Sequence, residues 1–274
     1  MTHRDTQPID SSAAGTSLTS DETQDPDHHR SKKNVRALLE SAARLAGAGS
    51  SFHFGPERQG QLPDARQSQL AALAQEPEAP ATPDARPDFT GGEHQVWVSD
   101  PPTVVLKHTL TGFYGRVMDE SSLLDSRTLQ NCRRLVLRGA LPSEYLRRWA
   151  ALTDIFSLPT TYQGRTGNAA SPQMAVAQPY IDQDDADPAT IEDVTAFMDA
   201  HGFAKIDTAS IAIPEVAEVT WYRQRDGILI TDAHARNFRK DTTGAILPID
   251  LVVTTVPKGV SKILPEPEAE WGPR

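Results

Sequence analysis

Two stretches of this chain carry apolar residues at the spacing of an α-helix, and each is predicted to bury one face. The first starts with Ser31 as N-cap and ends at Gly47 and Gly49. The second starts at Pro142 and has a broader apolar stripe. The apolar positions are Val35, Leu38, Leu39, Ala42, Ala43, Leu45 and Ala46 in the first stretch, and Tyr145, Leu146, Trp149, Leu152, Ile155 and Phe156 in the second. A shorter helix is expected over residues 189–200.

Other apolar runs are short, rich in Val and Ile, and separated by turn residues, which is typical of β-hairpins. Three pairs of such runs are predicted to form hairpins, and they are 93–98 with 104–107, 160–163 with 173–181, and 228–230 with 245–249. Residues 110–139 show no regular pattern, so we expect an irregular region there. One long helix interrupting several antiparallel runs predicts the α+β class.

Polar and proline-rich stretches divide the chain into segments. Residues 1–30 contain almost no large apolar side chain and are expected to be disordered. The folded core is therefore expected to start near Phe89. The predicted order is a disordered tail 1–30, an amphipathic helix 31–49, a proline-rich linker 50–89, a first lobe 90–181, a reduced second lobe 182–256 and an extended tail 257–274.

The charge composition of the chain limits the kinds of molecule that it is expected to bind. The chain has 37 acidic and 27 basic residues and a net charge of −10, which argues against general binding to nucleic acid or to anionic membranes. The single cysteine, Cys132, excludes an intrachain disulfide and is typical of a reducing compartment. The sequence has no run of about 18 apolar residues and starts with polar residues. We therefore expect no membrane span and a cytoplasmic location.

Three polar side chains follow the last two β-type runs. Asp232 comes after residues 228–230, Asn237 follows it, and Asp250 ends the run 245–249. Grouped carboxylates are costly through desolvation and repulsion, so a cation or a substrate is expected among them. Asp232 can act as a base or orient a hydroxyl, while Asn237 and Asp250 offer hard oxygen ligands suited to Mg²⁺.

The order and spacing of Asp232, Asn237 and Asp250 resemble the catalytic segment of the protein-kinase-like fold. His234, inside that segment, makes it more similar to the aminoglycoside-phosphotransferase branch than to eukaryotic kinases. The nearest resemblance is to the kinase domain of bacterial and phage polyvalent proteins, with its Gly-Gly-Glu opening, Tyr-Leu-containing helix and late Pro-Ile-Asp. The matching residues here are Gly91-Gly92-Glu93, Tyr145-Leu146 and Pro248-Ile249-Asp250. The resemblance covers residues 90–256 and is closest over 228–251.

The resemblance implies a minimal two-lobed kinase-like fold with an antiparallel sheet in the first lobe and a truncated second lobe. It also implies that the backbone at Gly91 and Gly92, together with Lys107, meets the phosphates of ATP. Two glycines, Gly91 and Gly92, stand where the family usually has three. The helices that normally follow the position of Asp250 are absent from the sequence pattern.

Further roles follow from the same resemblance. A glutamate on the long helix is expected to pair with the phosphate-binding lysine, and Glu144 matches that position, with Glu120 as the competitor. The segment from Gln178 to Tyr180 would border the adenine of the nucleotide. Asp232 would act on the acceptor hydroxyl, with the metal held by the amide and carboxylate that follow it.

The implied function is transfer of the γ-phosphate of ATP, with Mg²⁺, to a protein Ser or Thr or to a small-molecule hydroxyl. One alternative is an inactive kinase-like module that binds nucleotide and acts through protein contacts. Another is a metal-dependent hydrolase built from Asp232, His234 and Asp250. The expected partners are thus a nucleotide and a protein or small-molecule acceptor.

Overall fold

The computed structural model of the chain describes residues 26–47, 61–80, 86–124, 131–183, 187–206, 216 and 219–256. For residues 26–29, 122–124 and 131–133 the description covers the backbone alone. The expected tail 257–274 and residues 1–25 of the expected disordered tail lie outside the described residues.

Helices and antiparallel strands follow one another along the described residues, which confirms the predicted α+β class. The helices are α1 (Pro26–Ala46), α2 (Leu62–Leu73), α3 (Pro142–Phe156) and α4 (Ile191–Ala200). The strands are β1 (Phe89–Thr90), β2 (His94–Val98), β3 (Val104–Thr109), β4 (Arg116–Leu124), β5 (Asn131–Gly139), β6 (Thr161–Asn168), β7 (Ser171–Pro179), β8 (Ala204–Lys205), β9 (Trp221–Arg223), β10 (Ile228–Thr231), β11 (Phe238–Lys240), β12 (Ile246–Pro248) and β13 (Val252–Thr255).

The largest sheet has five antiparallel strands in the order β1-β2-β3-β7-β6. Two of the predicted hairpins, β2 with β3 and β6 with β7, form as expected and lie side by side in this sheet. Strand β3 is central, so Lys107 pairs with Val96 on one side and with Val176 on the other. This position gives Lys107 a rigid backbone on both sides.

The expectation of an irregular region over residues 110–139 is wrong. Strands β4 and β5 form a long antiparallel hairpin in register from Arg116 opposite Gly139. The pattern was hidden because polar residues pair within the hairpin, as where Arg138 binds Asp119 at 2.6 Å. Its apolar face is small and is buried by distant strands, since Met118 packs in a cluster with Leu229.

Helix α1 is part of the folded body, so the expectation that the core starts near Phe89 is wrong. Leu38, Ala42 and Leu45 are each at most 2% exposed and pack with α3. Ser31 lies inside α1 rather than at its N-cap, and its hydroxyl donates to the carbonyl of Thr153 at 3.3 Å. The amphipathic face predicted for this stretch thus covers α3.

The segment predicted as a proline-rich linker, 50–89, also contains α2. Leu73 at the end of that helix is fully buried, and the side-chain oxygen of Gln69 accepts a hydrogen bond from the backbone N–H of Ser143 at 3.0 Å. That contact satisfies one of the free N–H groups in the first turn of α3. Helix α2 therefore helps to hold α3 in place.

The second half of the described chain has a four-stranded sheet in the order β13-β10-β9-β8 and a separate β11-β12 hairpin. The predicted pairing of 228–230 with 245–249 is therefore wrong. The chain turns sharply after β10, where Asp232 has φ of +63°, and then forms a 3₁₀ turn, Ala235–Asn237. Strand β10 is thus free to pair with β9 and β13.

A shared core joins the parts. Its side chains come from the five-stranded sheet, from the four-stranded sheet and from the helices α1 to α4, and they include Leu38, Leu73, Trp149, Met174, Val194, Ile230 and Val253. Among the described residues, no helix is both long and apolar enough to cross a membrane.

If α1 is part of the fold, two adjacent leucines should respond differently to truncation. Leu38→Ala removes a fully buried side chain and should lower the free energy of unfolding by about 2–5 kcal/mol. Leu39 is 46% exposed, so Leu39→Ala should cost less than about 1 kcal/mol. Urea unfolding of both variants measures the difference. Equal and small losses would mean that α1 does not pack on α3 in solution.

Candidate functional site

A cavity of about 950 Å³ lies against the five-stranded sheet and extends to the segments around β10 and β12. The candidate residues taken from the sequence converge on it, although they come from distant parts of the chain. Those that line it are Gly91, Gly92, Lys107, Gln178, Tyr180, Asp232, Asn237 and Asp250. Glu144 is not among the lining residues.

Lys107 reaches the cavity from the central strand β3 and is only 5% exposed. Its ammonium group donates a hydrogen bond to the carbonyl of Ile249 at 2.6 Å, next to Asp250 in the chain. It also lies 4.8 Å from the ring centre of Trp149. Burial lowers the pKa of Lys107, and the negative charge of Asp250 opposes this without cancelling it.

Arg148 of α3 is the residue that the sequence analysis missed. It is 3% exposed, and its guanidinium binds the carboxylates of Glu93 and Asp250. Its Nε donates to the carbonyl of Leu251 at 2.6 Å. The sequence does contain an indication of this role, because Arg148 stands directly before Trp149 inside the apolar stripe of α3. A charge on a buried face is expected to have a partner of opposite charge.

Asp250 is held by positive charge on several sides. Besides its contact with Arg148, its Oδ2 lies 3.3 Å from Nδ1 of His94. Burial would raise the pKa of Asp250, but the charges of Lys107 and Arg148 outweigh it and hold that pKa far below its ordinary value. Asp250 is therefore ionised throughout the physiological range.

His94 is a second residue that the sequence analysis gave no role. It is 3% exposed, and its Nε2 lies 3.0 Å from the hydroxyl of Tyr145 on α3. Through its other nitrogen it faces Asp250, so the ring is held between the helix and the cavity. A histidine directly after Gly-Gly-Glu was the only sequence signal.

The turn after β10 presents Asp232 and Asn237 together. The amide nitrogen of Asn237 donates to the backbone carbonyl of Asp232 at 2.8 Å and to its Oδ2 at 2.9 Å. Because the side-chain nitrogen of Asn237 donates to Asp232, its side-chain oxygen is available as a hydrogen-bond acceptor or a metal ligand. The backbone carbonyl of Asn237 accepts the N–H of Ile249 at 2.8 Å, which ties this turn to the residue before Asp250.

Asp232 differs from Asp250 in its electrostatics. About half of its side chain is exposed, and Nε2 of His234 lies 3.3 Å from its Oδ1. Partial burial raises the pKa of Asp232, with His234 and the amide of Asn237 acting in the opposite direction. Nε2 of His234 therefore faces Asp232 rather than the backbone near Asp250.

The structure gives Glu144 a different partner from the one expected. Its carboxylate accepts two hydrogen bonds from Arg138, each at 2.7 Å, and the N–H of Leu141 at 2.8 Å, which caps α3. The described acids whose charges act on Lys107 are Asp250 and Glu93. The acidic environment of the lysine thus comes from the glycine turn and from the segment after β12 rather than from α3.

The glycine turn before β2 is open towards the cavity. The N–H of Gly91 bonds the carbonyl of His94 at 2.8 Å and closes the turn. A Cβ added at Gly92 would meet no atom within 4 Å, so packing inside the protein does not require glycine there. Close approach of a ligand to the backbone remains a reason for it.

Strand β7 and the segment directly after it border the cavity at Gln178 and Tyr180. The side-chain nitrogen of Gln178 donates to the hydroxyl of Thr160 at 3.2 Å, and the N–H of Tyr180 donates to the carbonyl of Thr103 at 3.0 Å. Both residues are thus anchored at the edge of the cavity.

The donor set fits a hard cation in part. Asn237 and Asp250 line the same cavity and offer an amide oxygen and a carboxylate. A second grouping, Glu93 with His94 and Asp250, has its potential ligand atoms within 4.8 Å of one another. In that grouping Arg148 already binds both carboxylates, so a cation there would have to displace or tolerate the guanidinium.

Comparisons of the chain with models of protein families, with curated proteins and with solved structures found no match. The roles of the cavity residues are therefore argued from their contacts, burial and charge. On those grounds, the cavity combines a buried lysine, a partly exposed aspartate of raised pKa and an ionised aspartate beside an amide.

Asp250→Asn should lower stability at neutral pH, whereas Asp232→Asn should not. Asp250 holds its proton less tightly in the native chain than in the unfolded chain, where its pKa is near 3.8. Its ionised form therefore stabilises the fold above that pH, and acid removes this contribution. Asp250→Asn leaves Arg148 partly uncompensated and should cost about 3–5 kcal/mol at neutral pH, with a shallower loss in acid.

Asp232 has a raised native pKa, so its ionisation at neutral pH costs stability. Asp232→Asn should therefore leave the protein equally stable or more stable. Urea unfolding of both variants and the wild type across the acid-to-neutral range measures the two effects. Wild-type stability in Asp250→Asn would show that the ion pair with Arg148 contributes nothing.

Proposed function

We propose that this chain is a protein-kinase-like phosphotransferase that uses ATP and Mg²⁺. The observation that carries the proposal is the convergence of Lys107 with Asp232, Asn237 and Asp250 on one cavity. The first and last parts of that set are far apart in sequence, since Lys107 bonds a carbonyl 142 residues away. A kinase-like reaction needs these residue types around one nucleotide.

The cavity lining contains both kinds of group that a nucleotide needs. Its apolar residues include Val96, Val105, Leu158 and Ile181. A flat base fits such side chains, and Gln178 and Tyr180 line the same cavity. The glycine turn and Lys107 also line it, and they suit phosphates.

The chain's own residues divide the work of phosphoryl transfer. Asp232 orients the acceptor hydroxyl and receives its proton as the new O–P bond forms and the bond from the γ-phosphorus to the ADP oxygen breaks. Its raised pKa suits that exchange better than the strongly ionised Asp250 does. Lys107 stabilises negative charge on the phosphates, and Asn237 holds Asp232 in place.

Asn237 and Asp250 would hold Mg²⁺, which when bound supplies positive charge against the phosphate oxygens. His234 beside Asp232 orients the catalytic turn. The acceptor is a protein Ser or Thr or a small-molecule hydroxyl, and it enters on the exposed side of Asp232.

A second candidate is a kinase-like module that binds nucleotide without transferring phosphate. One observation favours it, namely that Arg148 already occupies Oδ1 of Asp250, the proposed metal ligand. A metal-dependent hydrolase built from Asp232, His234 and Asp250 is less favoured. Among the described residues, the grouping able to hold a metal is Glu93, His94 and Asp250 rather than that set.

Two alanine variants test the division of labour. Asp232→Ala should keep the affinity for ATP with Mg²⁺ and lose turnover, because it removes the group acting on the acceptor. Asp250→Ala should also lose the Mg²⁺-dependent part of the nucleotide affinity. Isothermal titration with and without Mg²⁺, and tracing of labelled γ-phosphate to candidate acceptors, measure the two effects. Asp199→Ala, an exposed acid outside the cavity, is the matched control.

The outcomes separate the candidates. Nucleotide binding without transfer in the wild type, with a full range of acceptors, would favour the inactive module. Equal nucleotide affinity in Asp250→Ala and the wild type at every Mg²⁺ concentration would remove support for the metal assignment.

Lys107→Met should separate stability from function. The substitution removes a buried ammonium whose lowered pKa makes its ionisation costly, but it also removes the hydrogen bond to the carbonyl of Ile249. The melting temperature should therefore change little. The affinity for ATP should fall by about tenfold or more, since a charge-assisted contact with phosphate is lost. Thermal unfolding and isothermal titration of the same preparation give both values. Wild-type affinity together with wild-type turnover would make Lys107 a structural residue only.

A further inference from the structure

The cavity contains a cation that the proposed mechanism does not use. Arg239 lines it from β11, two residues after Asn237. Among the described residues it contacts no carboxylate, and its one hydrogen bond is a long one of 3.4 Å to the neighbouring carbonyl of Phe238. An arginine at a cavity wall without an acidic partner is a candidate for binding an anionic ligand.

The alternation of strand β11 explains why Arg239 faces the cavity. Successive side chains of a strand point to opposite faces. Phe238 is buried and contacts Phe197 of α4 with a ring-centre distance of 5.6 Å. Lys240 lies on the same face, where its ammonium binds Asp187 at 2.8 Å. Arg239 lies between these two residues and therefore points the other way.

The charges around Arg239 leave a local positive excess. Arg148 already binds two of the acids that line the cavity, Glu93 and Asp250. Four further cations, Lys107, Arg116, Arg236 and Arg239, line the cavity against one further acid, Asp232. The charge of Arg239 acts on Lys107. Cations gathered in one cavity repel one another, and an anion bound among them relieves that repulsion.

We propose that Arg239 is a second phosphate-binding cation, which together with Lys107 holds the polyphosphate chain of the nucleotide. The identity of the ligand as a nucleotide rests on the proposed phosphotransferase function. The anion site itself is defined by the two cations and by the cavity wall between them. Arginine adds a planar, forked set of donors that a lysine lacks, so the two residues contact phosphate differently.

The chain offers a matched control one residue away. Arg239→Gln and Lys240→Gln each remove one positive charge from β11, but only the first faces the cavity. Isothermal titration of the full chain with tripolyphosphate, ATP and adenosine compares them. Arg239→Gln should weaken binding of tripolyphosphate and of ATP by about 10- to 100-fold and leave adenosine binding unchanged. Lys240→Gln should bind all three as the wild type does.

A third variant tests the inference even if Arg239→Gln does not fold. Arg239→Lys keeps the charge and loses the forked donors, so its affinity for tripolyphosphate should fall between those of the wild type and Arg239→Gln. Melting temperatures of all variants are measured alongside. Wild-type affinity for tripolyphosphate in Arg239→Gln would overturn the inference, as would an equal loss in Lys240→Gln. If Arg239→Gln fails to fold, wild-type affinity in Arg239→Lys overturns it.

The result is separable from the test of phosphate transfer. If the chain binds tripolyphosphate through Arg239 but transfers no phosphate from ATP, the anion site is supported and the proposed activity is contradicted. If the Arg239→Gln variant transfers phosphate and binds ATP and tripolyphosphate as tightly as the wild type, the proposed activity is supported and this inference is contradicted.

Discussion

The ion pairs of Arg148 with Asp250 and Glu93 connect the parts of this molecule on which its site depends. A buried guanidinium is stabilised only if its donors are matched, and here the backbone carbonyl of Leu251 supplies a third acceptor. Gly115 packs against the pair so closely that an added Cβ would lie 2.9 Å from Nη1 of Arg148. One side chain on α3 thereby fixes the glycine turn, the cavity aspartate and the start of β13.

This arrangement explains why helices far from the cavity matter for its geometry. Helix α3 is held from behind by α1 and at its start by Gln69 of α2. Two ion pairs of Arg138, with Glu144 and Asp119, join the first turn of α3 to the β4-β5 hairpin. A displacement of α3 would move Arg148, and with it the carboxylate of Asp250. The region before the large sheet is thus a support for the site rather than a separate appendage.

The electrostatics of the cavity follow from burial as much as from charge count. Two aspartates in the same cavity are shifted in opposite directions, because Asp250 faces cations and Asp232 is mainly desolvated. Such a separation is the usual basis for giving one acid to proton exchange and the other to charge binding. Lys107 and Arg239 line the same cavity, so the local charge there differs from the net charge of −10 of the whole chain.

The sequence by itself determined those helices, hairpins and site residues whose pattern lies within one short segment of the chain. Apolar periodicity predicted α3 and two hairpins, and the spacing of Asp232, Asn237 and Asp250 predicted residues that line one cavity. The tertiary structure alone decided which distant groups meet. Glu144 forms an ion pair with Arg138, and Arg148 forms one with Asp250. Strand β10 pairs with β9 and β13. These partners meet because whole helices and strands are buried against each other. A pattern within one segment carries information about its own face, and not about the charge or strand that will cover it.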